Sequence, residues 1–255
     1  MGAHYTMDVE RLGAQDVFYT QSAFLSFAHA FGGSDKMNSI RTARIWFETD
    51  LFKGFTQKII FKNKTYEPAS TNYYFAYFAD ANKTLLKSIL RTSEITFTSI
   101  YQPKVTFIID KNERIPVSLK KAPIFTLNYH RGLAGIFDSD FDYHKASLGI
   151  RHTIMLGGMG LLTYDLKLAK SFTPLPYPLL IMFPANESVF RTEKSFNLMR
   201  YGEFIADESL TLFLTFRQEG FLLDKIPLIK RLQLRSVATL GLAYGSFDQE
   251  KKRYL

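Results

Sequence analysis

Cysteine is absent from the 255 residues, which excludes disulfides, thiolate catalysis and cysteine-ligated zinc while leaving the redox compartment open. No run of about 18 apolar residues occurs, so no membrane-spanning helix is encoded. The nearest candidate, 172–185, is too short and is broken by Pro174, Pro176, Pro178 and Pro184. The N-terminus, MGAHYTMDVERLG, has no apolar h-region, so this sequence carries no signal peptide. Blocks of charge are also missing. The net charge is +8, yet the basic residues stand singly (Arg41, Arg44, Lys58, Lys62, Lys145, Arg151, Lys167, Arg217, Arg235), and no recognition motif accompanies them, which argues against a nucleic-acid partner.

The usual catalytic arrangements are missing as well. Among the five histidines, His144 and His152 would share a strand face but lie roughly 26 Å apart by strand rise, too far to hold one metal. Ser147 has no nucleophile elbow around it, and Gly157, Gly158 and Gly160 follow a strand without opening a helix. The sequence therefore predicts no enzyme, no catalytic residue, no metal and no cofactor.

What is present is alternation. Aromatic residues make up 15% of the chain, with 24 Phe and 14 Tyr against one Trp, a composition that favours strands. Arg41, Ala43, Ile45 and Phe47 fall on one side of a strand, and Thr42, Arg44, Trp46 and Glu48 on the other. After a tight turn the chain returns with Phe55, Ile59 and Phe61 opposed by Thr56, Lys58 and Lys62, which is a hairpin. The same pattern recurs at 94–101 and 125–130. It is clearest at 145–154 and 162–168, where strands of about 11 residues exceed the usual globular length and suit a tilted membrane crossing. On the run 209–217, Leu210, Leu212, Leu214 and Phe216 oppose Ser209, Thr211, Thr215 and Arg217. A short aromatic hairpin is expected near 73–78 and one short strand at 105–109 within a linker over 103–123, and short turns, Asp207-Glu208 among them, alternate with long loops, as in outer-membrane barrels. Alternation alone leaves a soluble sandwich or lipocalin-like barrel open, because either has one apolar face.

Three stretches narrow this reading: LPYPLL at 175–180, SFNLMRYGEFIAD at 195–207 and KIPLIKRLQLR at 225–235. Together with YTMDVERLG, the FKGF turn and APIFTLNYHRGLAGIF, they resemble bacterial outer-membrane proteins that place a carboxypeptidase-regulatory-like domain ahead of a large barrel. That barrel is similar to those of the surface-antigen superfamily that includes BamA and TamA. The resemblance covers nearly the whole chain. It implies an all-β fold: an antiparallel transmembrane β-barrel, incomplete here, with about nine strands of a larger barrel of roughly sixteen. On this reading 1–255 is one partial barrel domain, with an irregular start at 1–39 and antiparallel strands over 40–255, an internal fragment or split reading frame. The place implied is the outer membrane of a Gram-negative bacterium, and the partners are the lipid bilayer and other outer-membrane or exported proteins. The Arg-Gly-Phe motif of BamA-like relatives is missing, so their insertase activity does not transfer with the fold.

Candidate contacts within the lumen or loops are Pro176, Tyr177, Pro178, Asn186, Asn197, Met199, Glu203, Asp207, Arg217 and Arg235. The loop 171–197 is expected to fold inward, since stiff prolines beside exposed aromatics would otherwise form a sticky external patch. Glu203 and Asp207 are the most suggestive acids, with Arg200, Arg217 and Arg235 as expected partners. Three functions stay open: a barrel serving export or assembly at the outer membrane, a passive or gated pore, and a soluble all-β binding domain.

Overall fold

Period-two alternation needs only a neighbouring strand to become a sheet, and in the computed structural model it becomes a single large one. The structure describes residues 1–11, 37–69, 75–78, 84–103, 105–110, 113–116, 122–187, 194–218 and 235–248. Nine strands lie side by side in chain order: β1 (Gly2–Arg11), β2 (Met37–Phe52), β3 (Phe55–Pro68), β4 (Leu90–Tyr101), β5 (Ile124–Gly132), β6 (Tyr143–Met155), β7 (Leu161–Ser171), β8 (Glu208–Gln218) and β9 (Ser236–Ser246). Every neighbouring pair is antiparallel. The strand tail read near Tyr5 is a ten-residue strand, Gly2–Arg11, paired with β2 along its whole length.

The connections differ between the two ends of the sheet. At one end lie 12–36, 69–89, 133–142 and 172–207, and at the other 53–54, 102–123, 156–160 and 219–235. Only two of the connections at the second end are tight turns, so the alternation of short and long is less regular than the sequence suggests. In the tighter one, Gly54 takes φ of 84°, and a Cβ there would run into the Gln102 carbonyl. Two short pairs sit in the longer connections, Tyr77–Phe78 with Leu86–Lys87 and Phe107–Asp110 with Glu113–Pro116. The first falls near the aromatic hairpin expected at 73–78; the second overlaps the single strand expected at 105–109 and adds a partner, Glu113–Pro116, within the expected linker. A third pairs Ile181–Met182 with Ile205–Ala206. Asp207 and Glu208, expected to form a tight turn, instead lead from this third pair straight into β8.

Register decides the two faces, because residues directly opposite one another share a side. One row runs Ile45, Phe61, Ile95 and Arg131; the next runs Phe47, Ile59, Phe97, Tyr129 and Ala146. Further along, Ile150, Leu166, Leu212 and Leu242 align, as do Leu148, Leu168, Leu210 and Tyr244. The result is an apolar belt across all nine strands. The Phe137 ring, from the connection 133–142, meets it at Phe61, 6.1 Å between ring centres, and elsewhere it is open: Ile45 is 62% exposed, Phe47 53%, Leu127 49% and Leu240 53%. We call this the open face.

The opposite, covered face is polar along the middle of the strands and carries the hydrophobic core at its long-loop end. There Ile40, Tyr66, Leu90 and Tyr143 from the strands meet Phe75 and Tyr77 from one connection, Phe141 from another, and Leu175, Leu179, Leu180 and Met182 from the segment after β7. Tyr77 anchors this core: its hydroxyl lies 2.7 Å from both the Ile89 carbonyl and Asp140 Oδ2. Burial first, and then the Asp140 carboxylate, raise its phenol above the usual value.

Candidate functional site

The middle of the covered face holds a charged cluster that four strands build together. Lys62 on β3, Glu94 on β4, His130 on β5 and Tyr143 on β6 all fall on the polar side of their strands, and the register brings them within reach of one another. Glu94 Oε1 accepts a hydrogen bond from Thr96 Oγ1 at 2.7 Å and lies 3.0 Å from His130 Nδ1 and 3.6 Å from Lys62 Nζ. Its Oε2 accepts from the Tyr143 hydroxyl at 2.7 Å. Both oxygens are thus occupied, as a carboxylate held away from bulk water requires. Beside the cluster, the Thr98 hydroxyl donates to Asn128 Oδ1 at 2.8 Å and Asn128 Nδ2 donates to Ser147 Oγ at 3.2 Å, a polar ladder across β4, β5 and β6.

Residues 172–187 and 194–206 lie over this face, as expected for a segment that folds onto the polar side. Pro176 is fully buried and precedes a single 3₁₀ turn, Tyr177–Leu179, whose Pro178 and Leu179 are buried. Proline fixes the backbone there at little entropic cost, so the segment can turn tightly against the sheet. Tyr177 donates from its hydroxyl to the Gly202 carbonyl at 2.8 Å, closing the segment on itself. Lys145 Nζ donates to the Leu179 carbonyl at 3.3 Å, Lys194 forms an ion pair with Asp165, and the rings of Phe196 and Phe213 are 4.9 Å apart. Two bare backbone positions on β9 receive aromatic rings: a Cβ on Gly245 would lie 2.7 Å from Phe183, and one on Gly241 3.0 Å from Phe213.

Two cavities remain between segment and sheet. One, of about 230 Å³, is lined by Lys62, Lys64, Lys145 and Lys167 around Glu94. The other, of about 260 Å³, is bounded by Ile124, Phe183 and Phe213 together with the Arg151–Asp165–Lys194 group. They share Asn128, Ser147, Lys167, Ile181 and Met182.

The candidates from the sequence are only partly brought together. Asn186 is buried and donates from Nδ2 to Asn197 Oδ1 at 2.6 Å, a cross-link in the middle of the covering segment. The amide of Met199 donates to the Phe196 carbonyl at 3.1 Å in a local turn. Glu203 and Asp207 do not form a pair. Glu203 is exposed and accepts from the Arg200 backbone amide at 2.9 Å, whereas Asp207 is buried and accepts at Oδ2 from the Asp248 amide at 3.1 Å. Arg217 and Arg235 sit at the other end of β8 and β9, roughly 30 Å from Asp207 by strand rise. The expected contact of either arginine with these acids is therefore corrected by the register: Arg217 stands opposite Leu161 and Val237, and Arg235 is exposed just before β9.

The charged cluster escaped the sequence reading. Lys62, Glu94 and His130 fall on the polar side of their strands by alternation, but Tyr143 precedes the run 145–154, histidines were weighed only for metal spacing along one strand, and the cluster is assembled across four. Phe213 is the other omission, an apolar residue among Thr211, Thr215 and Arg217 whose place on the polar side is itself a sign that something packs there. Of the stretch 225–235, only Arg235 lies within the described residues.

No curated protein matches the sequence. Residues 54–254 match the C-terminal domain of a family of unknown function, DUF5686, and the chain belongs to that family.

Proposed function

We propose that this chain forms part of the wall of an outer-membrane β-barrel, with the open face against lipid and the covered face toward the lumen, which the segment 172–206 occupies. The observation that carries this reading is the apolar belt across nine strands, exposed along most of its length. In water each Å² of such surface costs about 25 cal/mol, and soluble monomers keep their largest apolar patches to a few hundred Å². The belt also ends as a membrane surface should. On its long-loop side the open face turns polar at Arg41, Arg131, His144, Lys170 and Glu208. On the other side Phe52 stacks on Phe55 at 4.8 Å and Tyr101 on Phe125 at 6.3 Å, the kind of aromatic girdle found at membrane interfaces.

The outer edges of β1 and β9 have no partner strand among the described residues. An open edge of this length invites aggregation, and we take the sheet to belong to a barrel of roughly sixteen strands, the size implied by its likeness to the BamA and TamA barrels. Following the same sequence resemblance, we take its role to be export or assembly at the outer membrane of a Gram-negative bacterium. Its partners on this reading are the bilayer and outer-membrane or exported proteins. Extraction only with detergent, together with a band whose migration changes on boiling, is the expected behaviour. A monodisperse monomer in detergent-free buffer would overturn the membrane reading.

A second reading, a gated pore, draws support from the cavities that remain beneath the segment. It predicts that deleting 175–190 raises single-channel conductance in planar bilayers. Equal, near-zero conductance with and without the segment would leave export or assembly.

A further inference from the structure

We infer that the paired cavities beneath the segment form one binding site for an anionic amphiphile, an acidic head group carrying an apolar chain. The head-group half follows from charge. Lys62, Lys64, Lys145 and Lys167 line the first cavity against one carboxylate, Glu94. That carboxylate is already engaged by Thr96, His130, Lys62 and Tyr143. Lys145 donates to a carbonyl, lies over the face of Tyr143, 5.2 Å from the ring centre, and adds to the positive field at Glu94, and Lys64 lies 5.8 Å from the ring centre of Tyr66. Clustered ammonium groups in a partly enclosed space raise the local potential and favour an incoming anion, which they bind as point charges.

The chain half follows from the neighbouring cavity. Its wall opposite the sheet is Ile181, Met182, Phe183 and Pro184, and Phe213 and Ile124 complete an apolar pocket on the sheet side. At its border Lys194 and Arg151 both pair with Asp165, which leaves one net positive charge beside the head-group half. Lys167 lines both cavities, as do Asn128 and Ser147. A ligand with its acid among the lysines can therefore extend its chain beneath Phe183 without leaving the site. Neither cavity alone explains the pairing of four lysines with an adjoining aromatic pocket. The inference does not rest on the membrane reading, because both cavities lie on the covered face whatever solvent meets the open one.

The test is binding of octyl phosphate to the full chain in a nonionic detergent, by equilibrium dialysis, with inorganic phosphate as the second probe. Saturable binding of one octyl phosphate per chain is expected, with inorganic phosphate at least about tenfold weaker. Lys145→Gln with Lys167→Gln should weaken octyl phosphate about tenfold, and Lys145→Arg with Lys167→Arg should restore most of it. The arginine variant separates loss of charge from loss of fold. Equal affinity for the two probes, unchanged affinity in the glutamine variant, or uptake that scales only with detergent would each overturn the proposal. The boiling-dependent band reports on the membrane reading separately.

Discussion

Phe213 and Leu214 are neighbours on β8 and lie on opposite faces, and the contrast between them extends to the whole sheet. Phe213 is buried against Phe196 of the covering segment, and it sits in a row of threonines, charges and glycines. Leu214 sits in a row of Tyr164 and Leu240, with no described segment over it. The polar face thus carries the packed core and the charged cluster, while the apolar face carries ion pairs only at its margin, such as Arg41–Glu67 and Lys170–Glu208. A soluble β-protein has the reverse arrangement, burying its apolar face. The inversion is what the proposed membrane wall calls for, since the described parts of 172–206 pack on a polar surface and the belt is left open.

Substitutions can break this comparison from either side. The largest effect is expected at Glu94. Glu94→Ala leaves Lys62 facing a partly enclosed space without its carboxylate, a loss of about 3–5 kcal/mol, read as a lower guanidinium unfolding midpoint. Glu94→Gln, which keeps an acceptor for Tyr143, should lose less; equal losses would mean that the charge plays no part.

Next come adjacent positions on β8. Leu214→Arg places a cation in the belt and should cost about 2–4 kcal/mol of folding into vesicles if that face meets lipid. Thr215→Arg, on the polar face, should cost less than about 1 kcal/mol. Equal tolerance of both substitutions would remove the distinction between the faces.

The attachment of the segment is tested at Gly245, where an added side chain meets Phe183 and Ala206. Gly245→Val should cost about 1–3 kcal/mol through this overlap and speed proteolysis within 172–206 while the boiling-dependent band persists. Loss of the band together with the segment would mean that sheet and segment fold only as one unit.

Tyr77 sharpens the picture outside the sheet. Its phenol is raised above the usual value of about 10, so the folded state keeps the proton where the unfolded chain releases it. Its contribution is complete below about pH 10 and is lost as the pH climbs beyond that. Tyr77→Phe should cost about 1–2 kcal/mol at neutral pH, and its deficit against the parent should shrink in alkali. A constant deficit from pH 8 to 11 would contradict the raised phenol.

The smallest effect belongs to the exposed pair Lys170–Glu208, 2.5 Å apart at the margin of the open face. Lys170→Ala should change stability by less than about 1 kcal/mol, and the change should fade with salt.

Much of the sheet was legible before any coordinates. The side on which each belt residue falls, from Ile45 through Leu148 to Leu242, follows from period two alone, because alternation along a strand is a local property of the backbone. The short pair near 77, the strand near 107 and the inward fold of the proline-rich segment also follow from local chemistry. The site was less legible. Asn186 with Asn197 was marked and is a contact, but Glu203 and Asp207 were read as a pair and are not, since the chain turns between them and buries only the second.

The sequence by itself determined the strands, their two chemistries and the absence of a helix that could cross a membrane. Tertiary structure alone decided which polar residues meet. Register across β3, β4, β5 and β6 brings Lys62, Glu94, His130 and Tyr143 together from positions 62 to 143, and the packing of 172–206 converts a polar sheet face into two adjoining cavities. Alternation is set by each residue and its neighbours, whereas register and covering depend on energies summed over many residues distant in the chain.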